Sequence, residues 1–505
     1  FPATPWHGSS TIENAMPETA STLRALLRAK LGAHPFVIAS NREPYLHIRE
    51  DGRRRWIRPA SGLTVALDPL MRVCRGLWVA HGAGAADWEE CDDRGRVQVP
   101  PDRPAYCLKR IRLTEDQLRR YYDGFANSAL WPLCHVAYVR PVFLQEHWDG
   151  YREVNELFAD RIAEELHNEP AFVFIQDYHL ALLPRFLRER NPHVRIAHFW
   201  HIPWPNPEVF RICPWKEEIL EGMLAADIIG FHIRYHCLNF IATVDSVLEA
   251  RPDYERTAIV YQGHTSRIRA FPISIDFEEI TRQASSWSMK RASKTLRAAY
   301  RVKPEQWLGL GVDRLDYTKG IPERLHGLDL FFERNPQYRG RLVFVQIGVP
   351  SREALQAYQA LNEQVERKVA EINCKYGTEA WRPVLFLRAQ FELPALIALY
   401  RQARFLIVSS LHDGMNLVAK EFIASQNDGR GVLILSQFTG AARELPDALL
   451  INPYSPDEIA AKIREAVEMD AAEVRQRMSK MRERVRENNI YKWAGSILKK
   501  LARLS

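Results

Sequence analysis

Two cations stand five positions apart in the segment Val312-Asp313-Arg314-Leu315-Asp316-Tyr317-Thr318-Lys319-Gly320, directly after the apolar run Leu308–Val312. A guanidinium and an ammonium on one loop suit a diphosphate, Arg314 offering a planar fork of donors and Lys319 a point charge. The plainer alternative is that Arg314 and Lys319 only pair with Asp313 and Asp316. A second segment, His412-Asp413-Gly414-Met415-Asn416-Leu417-Val418-Ala419-Lys420-Glu421, follows the run Phe405–Val408 and leads into helical spacing. Gly414 permits a tight turn. The N–H groups after it would open a helix, a natural seat for a phosphate or a sugar oxygen. Asp413 could accept from sugar hydroxyls, and Glu421, about two turns on, from a ribose. The plainer alternative makes Asp413 a helix cap.

A third pair of segments joins Ile175-Gln176-Asp177-Tyr178-His179 to Trp200-His201-Ile202-Pro203-Trp204-Pro205. Both end apolar runs, and their spacing is that of one strand–helix–strand step, so Asp177 and His201 can share a cleft. His198 and His201 without a third nearby ligand do not make a metal site, and a lone strand-end His is more often structural. Ala60-Ser61-Gly62-Leu63 is a short loop that lets backbone approach a phosphate. Tyr122 through Trp131-Pro132 is rich in aromatic residues, which pack against sugars but more often fill a core. Neither a Gly-x-Gly-x-x-Gly fingerprint nor a Gly-Lys-Ser/Thr phosphate loop occurs, which disfavours dinucleotide oxidoreductases and P-loop enzymes.

Short apolar runs position these loops. They recur at 35–40, 76–80, 171–175, 195–200, 228–231, 308–312, 341–347, 384–387, 405–408 and 431–435, with helical spacing between, as in 154–167 and 456–468. Such alternation predicts parallel sheets with helices on both faces. The expected organisation is a tail and helix over 1–34, a first Rossmann-like lobe over 35–275, a second over 276–485, and a C-terminal amphipathic helix over 486–505. The 505 residues carry 69 Lys+Arg against 62 Asp+Glu, a net charge of +7 spread along the chain. That excess suits a positive cleft for small anions better than nucleic-acid binding. Seven scattered cysteines without a Cys-x-x-Cys pair suit a reducing compartment. No apolar run nears the roughly 18–20 residues that span a bilayer. A cytoplasmic protein is expected, with no nucleic-acid or membrane partner.

Taken in order, Asn41-Arg42, Ser61-Gly62-Leu63, Tyr122 through Trp131-Pro132, Asp177-Tyr178-His179-Leu180, His201-Ile202-Pro203, Arg314-Leu315-Asp316-Tyr317 with Lys319-Gly320, Ser351-Arg352, Asp413 through Glu421, and Leu435-Ser436-Gln437-Phe438 resemble glycosyltransferase family 20, the trehalose-6-phosphate synthases. The resemblance runs from Pro35 to Trp493. It implies a GT-B fold, two Rossmann-like domains facing a central cleft, and retaining transfer of glucose from UDP-glucose or another nucleoside-diphosphate glucose to glucose 6-phosphate. It implies a nucleotide-sugar as co-substrate, no required cofactor, no metal, and a homo-oligomer, either dimer or tetramer. Carried over, Arg314 and Lys319 hold the diphosphate, with Ser61 and Gly62 reaching it from the other lobe. Phe391 meets the nucleotide, and the run from Gly414 through Met415, Asn416, Leu417, Val418, Ala419 and Lys420 to Glu421 forms the helix-start and ribose contacts. Asp413 and His201 attend the donor sugar. Arg42, Tyr122, Trp131, Asp177 and Arg352 fall on the acceptor side.

Two positions depart from the family pattern. Where an acceptor-side Trp is usual, His81 follows Trp78-Val79-Ala80, and Trp204 stands where Phe is commoner. These departures bear on acceptor identity. A relative with another phosphorylated acceptor (a glucosylglycerol-phosphate synthase or a pseudo-glycosyltransferase), a non-catalytic sugar-phosphate-binding homologue, and a glycoside hydrolase with two flanking carboxylates are the rival readings.

Overall fold

The computed structural model describes residues 19–31, 34–59 and 62–503. Its first half contains β1 (Phe36–Arg42), β2 (Leu46–Glu50), β3 (Arg53–Ile57), β4 (Leu77–His81), β5 (Arg96–Val99), β6 (Tyr106–Ile111) and β7 (Phe172–Gln176). Then come β8 (Arg195–Phe199), β9 (Ile228–Phe231), β10 (Arg251–Asp253), β11 (Ala258–Tyr261) and β12 (His264–Ala270). The second half contributes β13 (Trp307–Arg314), β14 (Leu342–Val349), β15 (Val384–Leu387), β16 (Phe405–Val408), β17 (Val432–Ser436) and β18 (Leu449–Ile451).

One sheet has ten strands in the order β10-β11-β12-β9-β8-β7-β1-β4-β6-β5; a second has six, in the order β15-β14-β13-β16-β17-β18. From β12 to β6 every pair in the first sheet is parallel, and antiparallel pairs close both edges. All pairs of the second sheet are parallel. The remaining two strands, β2 and β3, form a separate antiparallel hairpin.

Parallel strands covered on both faces must be apolar on both, and β1 obeys this. Val37 and Ala39 enter one core with the helices 119–130 and 145–166, while Phe36 and Ile38 enter the other. That second core runs on through the interior of the six-stranded sheet, so a continuous apolar mass joins the two lobes. The C-terminal helix Ile490–Ala502 adds to it by crossing back onto the first lobe. Trp493 packs against Phe174 and Phe199 at 5.7 and 5.3 Å and donates its indole N–H to the Phe271 carbonyl at 3.2 Å. None of the helices among the described residues is long and apolar enough to cross a membrane. The carboxyl ends of both sheets open toward one gap, where open α/β sheets bind ligands.

Candidate active site

The gap holds a cavity of about 880 Å³ lined from both lobes. Its floor is built from residues at or just past strand ends: Arg42 ends β1, Asp177 follows β7, His201 lies two beyond β8, and Arg314 ends β13. Arg352, Phe391 and Asp413 sit on the loops after β14, β15 and β16.

On the second-lobe side, Lys319 reaches Asp413, its Nζ 2.7 Å from Oδ2. Ser410 Oγ and Asn416 Nδ2 donate to the same oxygen at 3.1 and 3.3 Å. Burial would raise the Asp413 pKa, but the Lys319 ammonium and the Asn416 bond hold it down to about 2. Arg314 Nη2 lies 3.8 Å from the buried Asp316, and its guanidinium sits over the Trp131 ring at 5.2 Å. The plain pairing of Lys319 within its own loop does not occur: Asp313 turns away to Arg324 Nη1 at 2.7 Å. Asp413 is not a cap either. Asn416 caps the helix Leu417–Ser425, its side-chain oxygen accepting from Ala419 N at 3.0 Å.

At this helix start, Leu417 and Val418 line the cavity with Met415, Asn416 and, one turn on, Glu421. The Leu417 and Val418 N–H groups are among those an α-helix leaves without an internal acceptor. Burial pushes the Glu421 carboxyl up to about 7, while Tyr400 O–H donates to it at 3.2 Å. Ala419 and Lys420 depart from expectation. Residues 417, 418 and 421 share one helical face and 419 and 420 fall on the other. The buried Lys420 ammonium instead donates to the Ile273 carbonyl at 2.7 Å and to Glu444 Oε2 at 2.9 Å. Gly414 also stays off the cavity wall and packs against the first lobe, where a Cβ would overlap the His201 carbonyl oxygen. Gly62 lines the cavity. Ser61 lies outside the described residues.

On the first-lobe side, Arg42 Nη2 donates to the Tyr122 phenol at 3.0 Å. Tyr122 stacks on His179 at 5.7 Å. Burial alone would raise its pKa, yet the Arg42 and Arg352 guanidinium groups bring it down to about 7. Arg352 crosses the gap: it packs over Trp131 at 4.0 Å and donates to Tyr178 Oη at 3.0 Å and to Asp316 at 3.4 Å. Asp177 has no cation in direct contact among the described residues. Its Oδ1 accepts from the N–H groups of Tyr178 and His201 at 2.9 and 3.1 Å, and burial raises its pKa to about 6. The buried Trp131 Nε1 and His179 Nε2 have no protein partner, although other atoms of both residues line the cavity. His81 does not reach the cavity. It ends β4 as a buried side chain, and desolvation lowers its pKa to about 4.

Three site residues hold positive φ: Asp177 at 72°, Arg352 at 50° and Asn416 at 105°. Each such residue costs about 1–3 kcal/mol and persists where its surroundings fix it. His201 donates Nε2–H to Gln176 Oε1 at 2.9 Å, and burial among His232, His198 and His179 keeps its ring neutral, with the pKa well below the usual value. His198 turns to the Asp177 carbonyl at 3.1 Å. Among the described residues no three His, Cys, Asp or Glu side chains converge as metal ligands do. Sequence reasoning missed His232, which lines the cavity one residue past β9. The strand-end rule that found Asp177 applies to it equally.

The family model described as glycosyltransferase family 20 matches residues 34–503. The trehalose-6-phosphate synthase of Mycolicibacterium smegmatis is 39% identical over 479 residues, 93% of this chain and 93% of its own. An alpha,alpha-trehalose-phosphate synthase (UDP-forming) from Burkholderia xenovorans, solved in complex with glucose-6-phosphate, shares 30% identity at a TM-score of 0.83. The match covers 92% of this chain and 99% of that one. A structure from E. coli bound with UDP-2-fluoro glucose shares 32% identity at a TM-score of 0.82, over 93% and 99%. Two α/β lobes closing on one cleft are the GT-B arrangement, shared with these structures over nearly their whole length. The chain belongs to glycosyltransferase family 20.

Proposed function

We propose that this chain moves glucose from UDP-glucose, or another nucleoside-diphosphate glucose, to glucose 6-phosphate with retention, giving trehalose 6-phosphate and the nucleoside diphosphate. One observation carries the reading: a single cavity holds two cationic pairs, Arg314 with Lys319 and Arg42 with Arg352, and has Asp413 and Asp177 among its acids. Two anionic substrates, each with sugar hydroxyls, fit that pattern.

In this reading Arg314 and Lys319 neutralise the charge that grows on the diphosphate as its bond to the sugar C1 breaks. Such charge compensation is preorganised, and worth most where water is excluded. The acceptor hydroxyl attacks C1 from the face the diphosphate leaves, and its proton passes to the departing phosphate oxygen. Retention follows without a covalent enzyme intermediate. Asp413 grips the donor sugar and Glu421 the ribose. The Leu417 and Val418 N–H groups and Gly62 serve the phosphates, and Phe391 lies beside the base. Arg42, Tyr122 and Arg352 take the acceptor phosphate, with Asp177 and Trp131 against its sugar ring.

The test is a panel of nucleoside-diphosphate sugars and phosphorylated acceptors, scored by nucleotide release with mass identification of the product. UDP-glucose or a sister donor should yield a disaccharide phosphate only when glucose 6-phosphate is present. A product on another phosphorylated acceptor, or none, would overturn the assignment. Nucleotide-independent sugar cleavage would point to the hydrolase.

A further inference from the structure

His232 has no part in the scheme above, yet it stands where the two lobes touch. Its Nε2 is 3.1 Å from the His201 carbonyl oxygen, and the Ile273 N–H points to its Nδ1 at 3.5 Å. A carbonyl only accepts, so Nε2 carries the proton and Nδ1 the lone pair. The His201 carbonyl is also the oxygen that leaves no room for a side chain at Gly414. Asp413, the neighbour of Gly414, faces the cavity in its ion pair with Lys319. Ile273 is gripped from the second lobe, where its carbonyl accepts from the buried Lys420, itself paired with Glu444. An unbroken set of contacts thus runs from Glu444 through Lys420, Ile273 and His232 to the peptide of His201.

We propose that His232 is a positioning residue that sets the orientation of the His201 peptide against the Gly414 turn, and thereby the spacing of the sugar-binding groups across the lobe seam. This deepens the transferase reading and rests on it. Burial, reinforced by the neighbouring His236 and Lys420, lowers the ring's pKa to about 3, so the neutral form that donates at one nitrogen and accepts at the other is the one present. A side chain that served packing alone would need only ring bulk. One that aims a carbonyl needs a donor at the ε position. An error of about 1 Å in a reacting geometry costs on the order of a hundredfold in rate.

The variants separate these requirements. His232→Gln keeps a donor at the ε position, His232→Asn keeps only the acceptor toward Ile273, and His232→Phe keeps bulk alone. Expected are a kcat within about threefold of wild type for Gln and a loss of about tenfold or more for Asn and Phe, with KM for both substrates within about twofold. Equal kcat in Gln and Asn, or losses that follow only the melting temperatures, would overturn the proposal. The ring tautomer of the unmodified protein, read by 15N NMR, is an independent test that needs no variant to fold: Nε2–H is expected across pH 6–8, and Nδ1–H overturns the proposal. A wild type inactive with every donor would sink the transferase reading, while the tautomer would still decide how His232 holds the peptide.

Discussion

The two sides of the cavity balance charge by different means. On the second lobe, cations meet carboxylates: Lys319 with Asp413, Arg314 near Asp316, and, beneath them, Arg324 with Asp313. On the first lobe, Arg42 meets a phenol and Asp177 is held by two backbone N–H groups. The carboxylate in the first arrangement is fixed as an ion down to about pH 2, whereas Tyr122 and Asp177 titrate near 7 and 6. A leaving group that gains charge needs cations whose state never changes. An acceptor that only has to be held tolerates groups within reach of physiological pH.

The largest effect should come from breaking the second-lobe pairs. Arg314→Ala and Lys319→Ala should each lower kcat by about 10²–10³-fold, the scale on which a single preorganised charge-stabilising group acts. Their stabilities should differ. Arg314→Ala leaves Asp316 with Arg352 and Thr318 and should change stability by less than about 1 kcal/mol. Lys319→Ala strips the buried Asp413 of its cation, and the melting temperature should fall visibly. Near-normal turnover in both would refute the leaving-group assignment.

Lys420→Met asks whether a cation on the same lobe belongs to the chemistry or to the frame. Removing one partner of a buried ion pair leaves the other charge uncompensated, and here it also orphans the Ile273 carbonyl. The expected loss is about 3 kcal/mol of stability, with donor KM changed far less. A large rise in donor KM at unchanged stability would return Lys420 to the ligand contacts that the family resemblance gave it. On the first lobe, Arg42→Ala should raise acceptor KM by about 10–100-fold through the loss of a charge-assisted bond to phosphate. Binding of the nucleoside diphosphate, followed by calorimetry, should stay as in wild type.

What the sequence made legible follows a division between buried and exposed segments. The central strands could be read because both faces are covered: β13 is buried along nearly its whole length, and Leu308–Val312 stands out as an apolar run. The β2–β3 hairpin could not be read, because Arg53-Arg54-Arg55-Trp56-Ile57 is largely exposed and has no apolar period. Yet it carries Trp56 and Arg58 to the cavity. The antiparallel edges β5, β10 and β11 escaped because each is only three or four residues long and partly exposed. In the site, strand ends gave the residues but not their partners. Lys319 and Asp413 are 94 positions apart and Lys420 and Ile273 are 147 apart, and no local pattern encodes such pairings. His81 shows the converse: a strand-end position on a family motif, held inside the first lobe.

The smallest expected effect is also the finest probe of the contrast. Tyr122 is a phenol below about pH 7 and a phenolate above it. The phenol can donate to the acceptor phosphate, whereas the phenolate loses that donor and repels an ester already doubly charged above its second pKa of roughly 6. Acceptor kcat/KM at saturating donor, which reports groups of the donor-bound enzyme before the acceptor binds, should therefore fall severalfold as pH rises from 6.5 to 8.5. A second fall, on the acid side, should follow protonation of Asp177 near 6. Measurement at saturating donor keeps Glu421, which titrates near 7 on the ribose side, out of the profile. Tyr122→Phe should lower the maximum a few fold and flatten the alkaline limb while leaving the acid limb in place. If the alkaline limb persists without the phenol, Tyr122 is not the group that titrates, and the contrast between the fixed Lys319–Asp413 pair and a titrating acceptor side fails at its most exposed point.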